Sequence, residues 1–267
     1  MKNSLVLKES PPCCSISVAA LDHRLDAPYY EPRWLRMDVK FRKMASSISL
    51  GEIIDQRYSG YGCLPDSEDY GGGNVGLIRG GELSQTTLNE LPAESPRVSE
   101  EYLSRYKRSR AVPGDVLMLV KGATIAHQDS AAILSPSFSD KALFNGSVFR
   151  LRIKQGFDPY FVVAHLKSPI FLKQKERSVS NTGIWYLDQD TLLSLRLCNP
   201  KDKLQLAIGH KVRAAERLRT ASASAQSTIN AWLANCLPKW DEPGEHLNVA
   251  PAFVSNFDTK RLDPWYN

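Results

Sequence analysis

Residue types that perform chemistry are present in this chain, but their spacing assembles no catalytic centre. Five histidines (His23, His127, His165, His210 and His246) are scattered, with no H-E-x-x-H or H-x-E pairing. They read as satisfied or exposed histidines rather than metal ligands. Five cysteines, at 13, 14, 63, 198 and 236, contain no C-x-x-C. An odd number at these spacings suits neither a disulfide framework nor a zinc site and points to a reducing cytoplasm. No phosphate loop of the G-x-x-x-x-G-K-[ST] type occurs. Gly71-Gly72-Gly73-Asn74-Val75-Gly76 lacks the spacing and the preceding strand of a dinucleotide fingerprint, so it reads as a turn.

Two further combinations fail on inspection. Asn199-Pro200-Lys201-Asp202 shares its first two residues with the Asn/Asp-Pro-Pro-Tyr/Phe motif of adenine methyltransferases. It lacks the second proline and the aromatic that stacks a flipped base. Asp115 with Lys121 has the wrong carboxylate-to-lysine spacing for a nuclease half-site. Positive charge is the more informative signal. Arg105, Lys107, Arg108 and Arg110 fall within six residues, interleaved with Tyr102 and Tyr106. Lys173, Lys175 and Arg177 precede Ser178-Val179-Ser180-Asn181-Thr182-Gly183-Ile184-Trp185, a polar stretch with one large ring. Basic side chains neutralise phosphates, and amide and guanidinium groups read base edges, so both clusters suit a DNA-reading face. Either cluster taken alone reads equally well as a solvated charged surface beside a turn.

These residues need a scaffold, and the composition allows one. The 267 residues are 42% hydrophobic and 24% charged, which supports a sizeable core and excludes wholesale disorder. Lys and Arg total 34 against 29 Asp and Glu, a net charge of +5 that is compatible with a nucleic-acid partner. No apolar stretch near the start is long enough to span a bilayer, and Glu9, Pro11 and Pro12 interrupt any signal-peptide core. The expected protein is therefore soluble and cytoplasmic, with no membrane association.

The expected fold class is α+β. Residues 1–22 read as a leader, 23–198 as a mostly β domain, 199–237 as a long helix and 238–267 as a tail. A short helix is expected near Trp34 to Lys43. Strands are expected at Val75–Ile78, Val116–Val120, Ala131–Leu134 and Val148–Ile153, separated by Gly-, Pro- and Asn-rich turns. Phe157 to Lys173 predicts one short buried helix. From Lys201 to Leu237 no proline occurs, and Leu204, Ile208, Ala215, Leu218, Ser222, Ala225, Ile229, Trp232 and Cys236 follow alternating steps of four and three once Lys211 fills one place. A helix of about 35 residues is a rod of roughly 50 Å, too long for the domain alone to cover, so it is expected to pair with another helix. Folding back on its own domain is the alternative. Lys260-Arg261-Leu262-Asp263-Pro264-Trp265-Tyr266 echoes His23-Arg24-Leu25-Asp26-Ala27-Pro28-Tyr29, the mark of a duplicated unit.

The ordered set of short motifs resembles the specificity (S) subunit of type I restriction-modification systems, in a half-length form with one target-recognition domain. The resemblance runs from about Arg24 to the end. It rests on Leu50-Gly51-Glu52-Ile53, Gly76 to Leu83, Val98-Ser99-Glu100-Glu101-Tyr102, and Val112-Pro113-Gly114-Asp115-Val116-Leu117 with Gly122. Pro159-Tyr160-Phe161 with Leu166-Lys167-Ser168 follows, then Gly183, Leu187, Leu193-Ser194-Leu195, Pro200, Gln205 and Ile208. Lys201 and Leu204 depart from the pattern at the start of the helix. Full-length members carry two recognition domains and two long helices, where this chain has one of each.

The resemblance implies a non-catalytic subunit for phage defence that binds double-stranded DNA and positions a methyltransferase subunit and a motor-nuclease subunit. S-adenosylmethionine, ATP and Mg would belong to those partners, with no cofactor in this chain. A homodimer through the 201–237 helix (Leu204, Ile208, Ala215, Leu218, Ser222, Ala225, Ile229, Trp232) would read a bipartite, inverted-repeat site. Implied DNA contacts are Lys173, Lys175, Arg177, Ser180, Asn181 and Trp185, with Arg79 and Lys121 at strand ends. Tyr58, Ser59, Gly60 and Tyr61 form a second loop, and Arg105, Lys107, Arg108 and Arg110 hold phosphates. Alternatives are a regulatory or decoy half-subunit, and a stand-alone DNA-binding defence or repair protein.

Overall fold

The computed structural model describes residues 18, 21, 25–43, 46–63, 70–180 and 183–236. Asn181, the repeated segment at 260–266, the 238–267 tail and nearly all of the leader lie outside them, as does the side chain of Tyr61. The chain divides after Leu218 into two units.

The first unit begins with α1 (Pro32–Lys43) and β1 (Ser47–Ser49). A hairpin-rich region follows: β2 (Ile54–Ser59), β3 (Val75–Ile78), β4 (Thr87–Leu88), β5 (Arg97–Val98), the one-turn α2 (Glu101–Arg105), β6 (Arg110–Ala111), β7 (Val116–Leu119), β8 (Ala131–Leu134), β9 (Ala142–Phe144) and β10 (Val148–Ile153). Then come α3 (Pro159–Leu166), α4 (Pro169–Ser178), α5 (Gln189–Ser194), β11 (Arg196–Cys198) and α6 (Asp202–Cys236). The strands form a five-stranded sheet β2-β10-β7-β8-β4, a four-stranded sheet β5-β3-β9-β6 and the pair β1-β11. The mixed α+β architecture and the long C-terminal helix agree with the sequence reading.

Residue alternation explains the layering. In β7, Val116 and Met118 enter a core shared with Phe161, Val162, Leu166 and Phe171 of α3 and α4. Leu117 and Leu119 enter a second core shared with Ile78, Ala142 and Phe144 of the four-stranded sheet. The five-stranded sheet is therefore covered by helices on one face and by the other sheet on the opposite face, as the uninterrupted apolar runs of its central strands β7 and β8 require. On the far side of the four-stranded sheet, Val75, Leu77, Val98 and Leu143 pack with Tyr102 and Cys63. Each fully buried Leu, Ile or Phe stabilises this stack by roughly 1.5–3 kcal/mol.

Phe157 to Lys173 departs from the single helix expected. Asp158 caps α3 by accepting from the Tyr160 and Phe161 amides. Ser168 caps α4 by accepting from the Phe171 amide, and Pro169 occupies the first position of that helix. Proline at the first helical turn starts a helix but cannot continue one, so the segment splits in two.

The first turns of α6 belong to the first unit. Gln205 Nε2 donates to Asn199 Oδ1 and the Pro200 carbonyl, while Ile208 and Val212 rest against the helical core. Gly209 is buried, and a Cβ there would come 2.5 Å from the Asp158 carboxylate, so the close approach of α6 requires glycine. Arg213 Nη2 then reaches Asp158 Oδ2 at 2.8 Å, with its guanidinium 4.3 Å from the Tyr160 ring centroid. In the second unit, residues 219–235 of α6 are all exposed.

Candidate nucleic-acid interface

Strand register brings several sequence-distant residues to one end of the two sheets. Tyr58 lies opposite Arg150, and Ser59 opposite Phe149, between β2 and β10. Val148 lies opposite Leu119, and the Val120 amide bonds the Ser147 carbonyl, which carries β7 to Lys121 at the same end. The Asn145 amide donates to the Ile78 carbonyl, placing Arg79 at the end of β3 beside the same turn. Arg110 opposes Leu143 across β6 and β9, so the basic segment before β6 also arrives there. Gly60 holds the centre: a Cβ on it would lie 2.1 Å from the Asn145 carbonyl oxygen, so only glycine lets the two loops touch.

Arg108, Arg110, Tyr58 and Gly60 are thus neighbours in space. Arg108 is exposed, with its guanidinium 4.4 Å from the Tyr58 ring centroid. Lys107 and Arg110 are exposed and have no ion-pair partner among the described residues. Arg105 instead lies over the stacked rings of Tyr102 and Tyr106, at 5.9 and 5.4 Å. Arg79 is half engaged, its Nη2 3.2 Å from Glu82 Oε1.

A second exposed surface is formed where Lys121 pairs with Tyr186. The Gly122 amide donates to the Trp185 carbonyl and the Ser180 amide to the Tyr186 carbonyl. These bonds present Ile184, Trp185 and Tyr186 to solvent, with Trp185 42% exposed. Exposed aromatic faces beside a lysine provide a stacking surface and a charge for a polyanion.

Two expected contacts are corrected. Lys175 is 0% exposed, and its Nζ donates to the Leu119 carbonyl at 3.1 Å and Ser130 Oγ at 3.0 Å. Burial pushes its pKa down to about 7. The two acceptors it finds match the two protons of the neutral amine, the form that burial favours. Arg177 is also withdrawn: it bonds Asp38 and the Tyr29 carbonyl, and stacks 4.1 Å from the Tyr29 ring centroid. A Lys-x-Lys-x-Arg run looks like one patch in sequence. On a helix, however, residues two apart point roughly 200° from each other, which turns Lys175 away from Lys173 and Arg177; Arg177 is taken from the surface by its bonds to Asp38 and Tyr29. Lys173 alone of the three is exposed.

Charged side chains elsewhere have structural partners. Asp115 is buried, accepting from the Val112 amide and from Arg152 Nε, which accounts for the carboxylate without chemistry. His165 is buried between the Phe161 and Phe171 rings, and burial lowers its pKa to about 4. Its Nε2 lacks a hydrogen-bond partner among the described residues, so it is buried without being fully satisfied. Among the described residues no group of three His, Cys, Asp or Glu is placed to hold a metal ion. Among those residues, too, no helix is long and apolar enough to cross a membrane.

Arg150 was not singled out by its sequence position. It is 9% exposed, and burial together with the charges of Arg152 and Arg108 lowers its pKa, against the pull of Asp115. The only hint in the sequence is arginine at alternate positions of an otherwise apolar strand, Arg150 and Arg152.

No protein-family model matches the chain, and no curated protein matches it. Solved structures similar to it include proteins of type I restriction-modification systems and a type IIG restriction endonuclease, BpuSI. One is from a study of complex assembly and conformational transition of such a system (TM-score 0.46, 16% identity, 76% of this chain and 48% of that one). Another is the S subunit from M. genitalium (0.48, 13%, 71% and 43%). A third is the HsdS subunit from Thermoanaerobacter tengcongensis (0.43, 16%, 72% and 45%). The matched region spans less than half of each of those chains.

Proposed function

We propose that this chain is a DNA-recognition subunit of a type I restriction-modification system. It reads one half-site and docks methyltransferase and motor-nuclease subunits, without a catalytic centre of its own. The observation that carries this reading is the convergence of Tyr58, Gly60, Arg79, Lys121 and the Lys107–Arg110 segment on one end of two sheets, beside the exposed Trp185–Tyr186 surface. It combines cations for phosphates with loops and rings for bases, which is the division of labour that sequence-specific DNA binding needs. The ordered motifs from Leu50 to Ile208 support the same family. The exposed positions Leu218, Ile229 and Trp232 of α6 favour pairing with another helix, for which a second copy of the chain would give a two-fold, bipartite site.

Co-expression with a candidate methyltransferase subunit, followed by mapping of methylated adenines, tests the proposal. Co-purification and a bipartite methylated motif are expected. Failure of the full chain to bind any duplex DNA would overturn it.

A further inference from the structure

Arg150 and Arg152 stand two residues apart on β10, facing the same side, yet the fold treats them differently. Arg152 Nε bonds Asp115 Oδ1 at 2.8 Å and its Nη1 bonds Gln56 Oε1 at 2.8 Å. Arg150 has no carboxylate within ion-pair distance among the described residues. Its Nη1 donates to the Arg110 carbonyl at 3.0 Å, its Nε is buried without a partner, and its Nη2 makes no hydrogen bond among the described residues. The guanidinium lies 5.8 Å from the Tyr58 ring centroid and 5.6 Å from that of Phe144. A cation buried to nine-tenths with no carboxylate in contact and without a full set of acceptors is costly, and such positions are kept where a ligand completes them.

The second cation is Arg108, exposed and 4.4 Å from the same Tyr58 ring. One ring thus packs against two guanidiniums on different elements, which limits their rotation and lowers the entropy lost on binding. We infer that Arg150, Arg108 and Tyr58 form a seat for one backbone phosphate of duplex DNA. A phosphodiester offers several acceptor oxygens and one negative charge, matching two guanidinium groups better than a neutral base edge does. Arg150 sits too deep to reach into a groove, so the seat sets position and not sequence. The choice of DNA as the source of the phosphate rests on the function proposed above.

Two measurements on the full chain test the seat, each with Arg150→Met, which keeps the stem, and Arg108→Ala, which alters only the surface. In the first, binding to a random-sequence duplex is titrated over a series of KCl concentrations. Each variant is expected to bind roughly tenfold more weakly, with a salt slope lower by about one. In the second, thermal unfolding is followed in potassium sulfate and potassium chloride at matched ionic strength. The wild-type protein is expected to gain a saturable stabilisation in sulfate that both variants lose. An Arg150→Met protein that is less stable but keeps the wild-type salt slope and sulfate response would show a purely structural arginine and overturn the seat. Should Arg150→Met fail to fold, unchanged behaviour of Arg108→Ala overturns it equally. A sulfate response without any duplex binding would sink the DNA reading while leaving an oxyanion seat; duplex binding without the sulfate response and with unchanged variant slopes would sink the seat alone.

Discussion

Lys175 Nζ lies 3.0 Å from Ser130 Oγ in an interior where neither side chain meets solvent. The second bond, to the Leu119 carbonyl, ties α4 to the last residue of β7, two positions before Lys121. A residue expected on the DNA surface is instead a strut beneath it.

That strut makes stability depend on pH. The folded pKa of Lys175 is about 7 against an ordinary value of 10.5, so the unfolded chain binds more protons between those limits. Stability therefore rises with pH from about 7 to 10.5; the contribution is complete above the unfolded value and is lost as pH falls through the folded one. Chemical denaturation at several pH values should show this rise, of the order of a few kcal/mol, in the wild type and its absence in Lys175→Met. Parallel profiles for the two proteins would contradict it.

The seating of α6 on α3 predicts an unusual sign. Glycine to alanine in an open helix position stabilises by roughly 0.5–1 kcal/mol. At Gly209 the added methyl would meet the Asp158 carboxylate at 2.5 Å, disturbing both the α3 cap and the bond to Arg213. Gly209→Ala should therefore destabilise, by about 1–3 kcal/mol in urea unfolding. A gain in stability would mean that α6 is not seated there.

Lys107 is exposed and has no ion-pair partner among the described residues, so its charge is available to a polyanion, which under the proposed function is the DNA backbone. Lys107→Ala should weaken binding to cognate and random duplexes alike and reduce the salt slope by about one. Asn181→Ala should instead relax sequence choice with little change in that slope. The division of roles fails if both variants lose affinity equally on both duplexes.

Along α6, Leu218 is 72% and Trp232 62% exposed, as unpaired apolar positions on a helix of 35 residues. Sedimentation of the wild-type chain should show a dimer, and the Leu218→Glu, Trp232→Glu double variant a monomer with unchanged helical circular dichroism. A wild-type chain that stays monomeric at high concentration would remove the homodimer from the proposal.

Local pattern was enough wherever one run of residues carried its own signal. Val75–Ile78, Ala131–Leu134 and Val148–Ile153 form strands at the expected bounds, and Asp202–Cys236 is the expected long helix. Their apolar runs and their freedom from proline act through the nearest neighbours in the chain. The two-residue strands β4, β5 and β6 carry no such signal, because partners far away in sequence hold them in place.

The same distinction governs the site. Sequence by itself determined the α+β class, the helix, the clustering of charge and the absence of a recognisable catalytic motif, since these follow from residue type and short spacing. Tertiary structure alone decided which cations reach the surface. Lys175 turns inward because α4 sets it about 200° from the exposed Lys173, and Arg177 is drawn against Asp38 and Tyr29, while Arg108 and Arg150, 42 positions apart in sequence, meet at Tyr58 because β10 pairs with β2. Charge is written along the chain, but its availability depends on burial and pairing, which come into being only when distant segments pack.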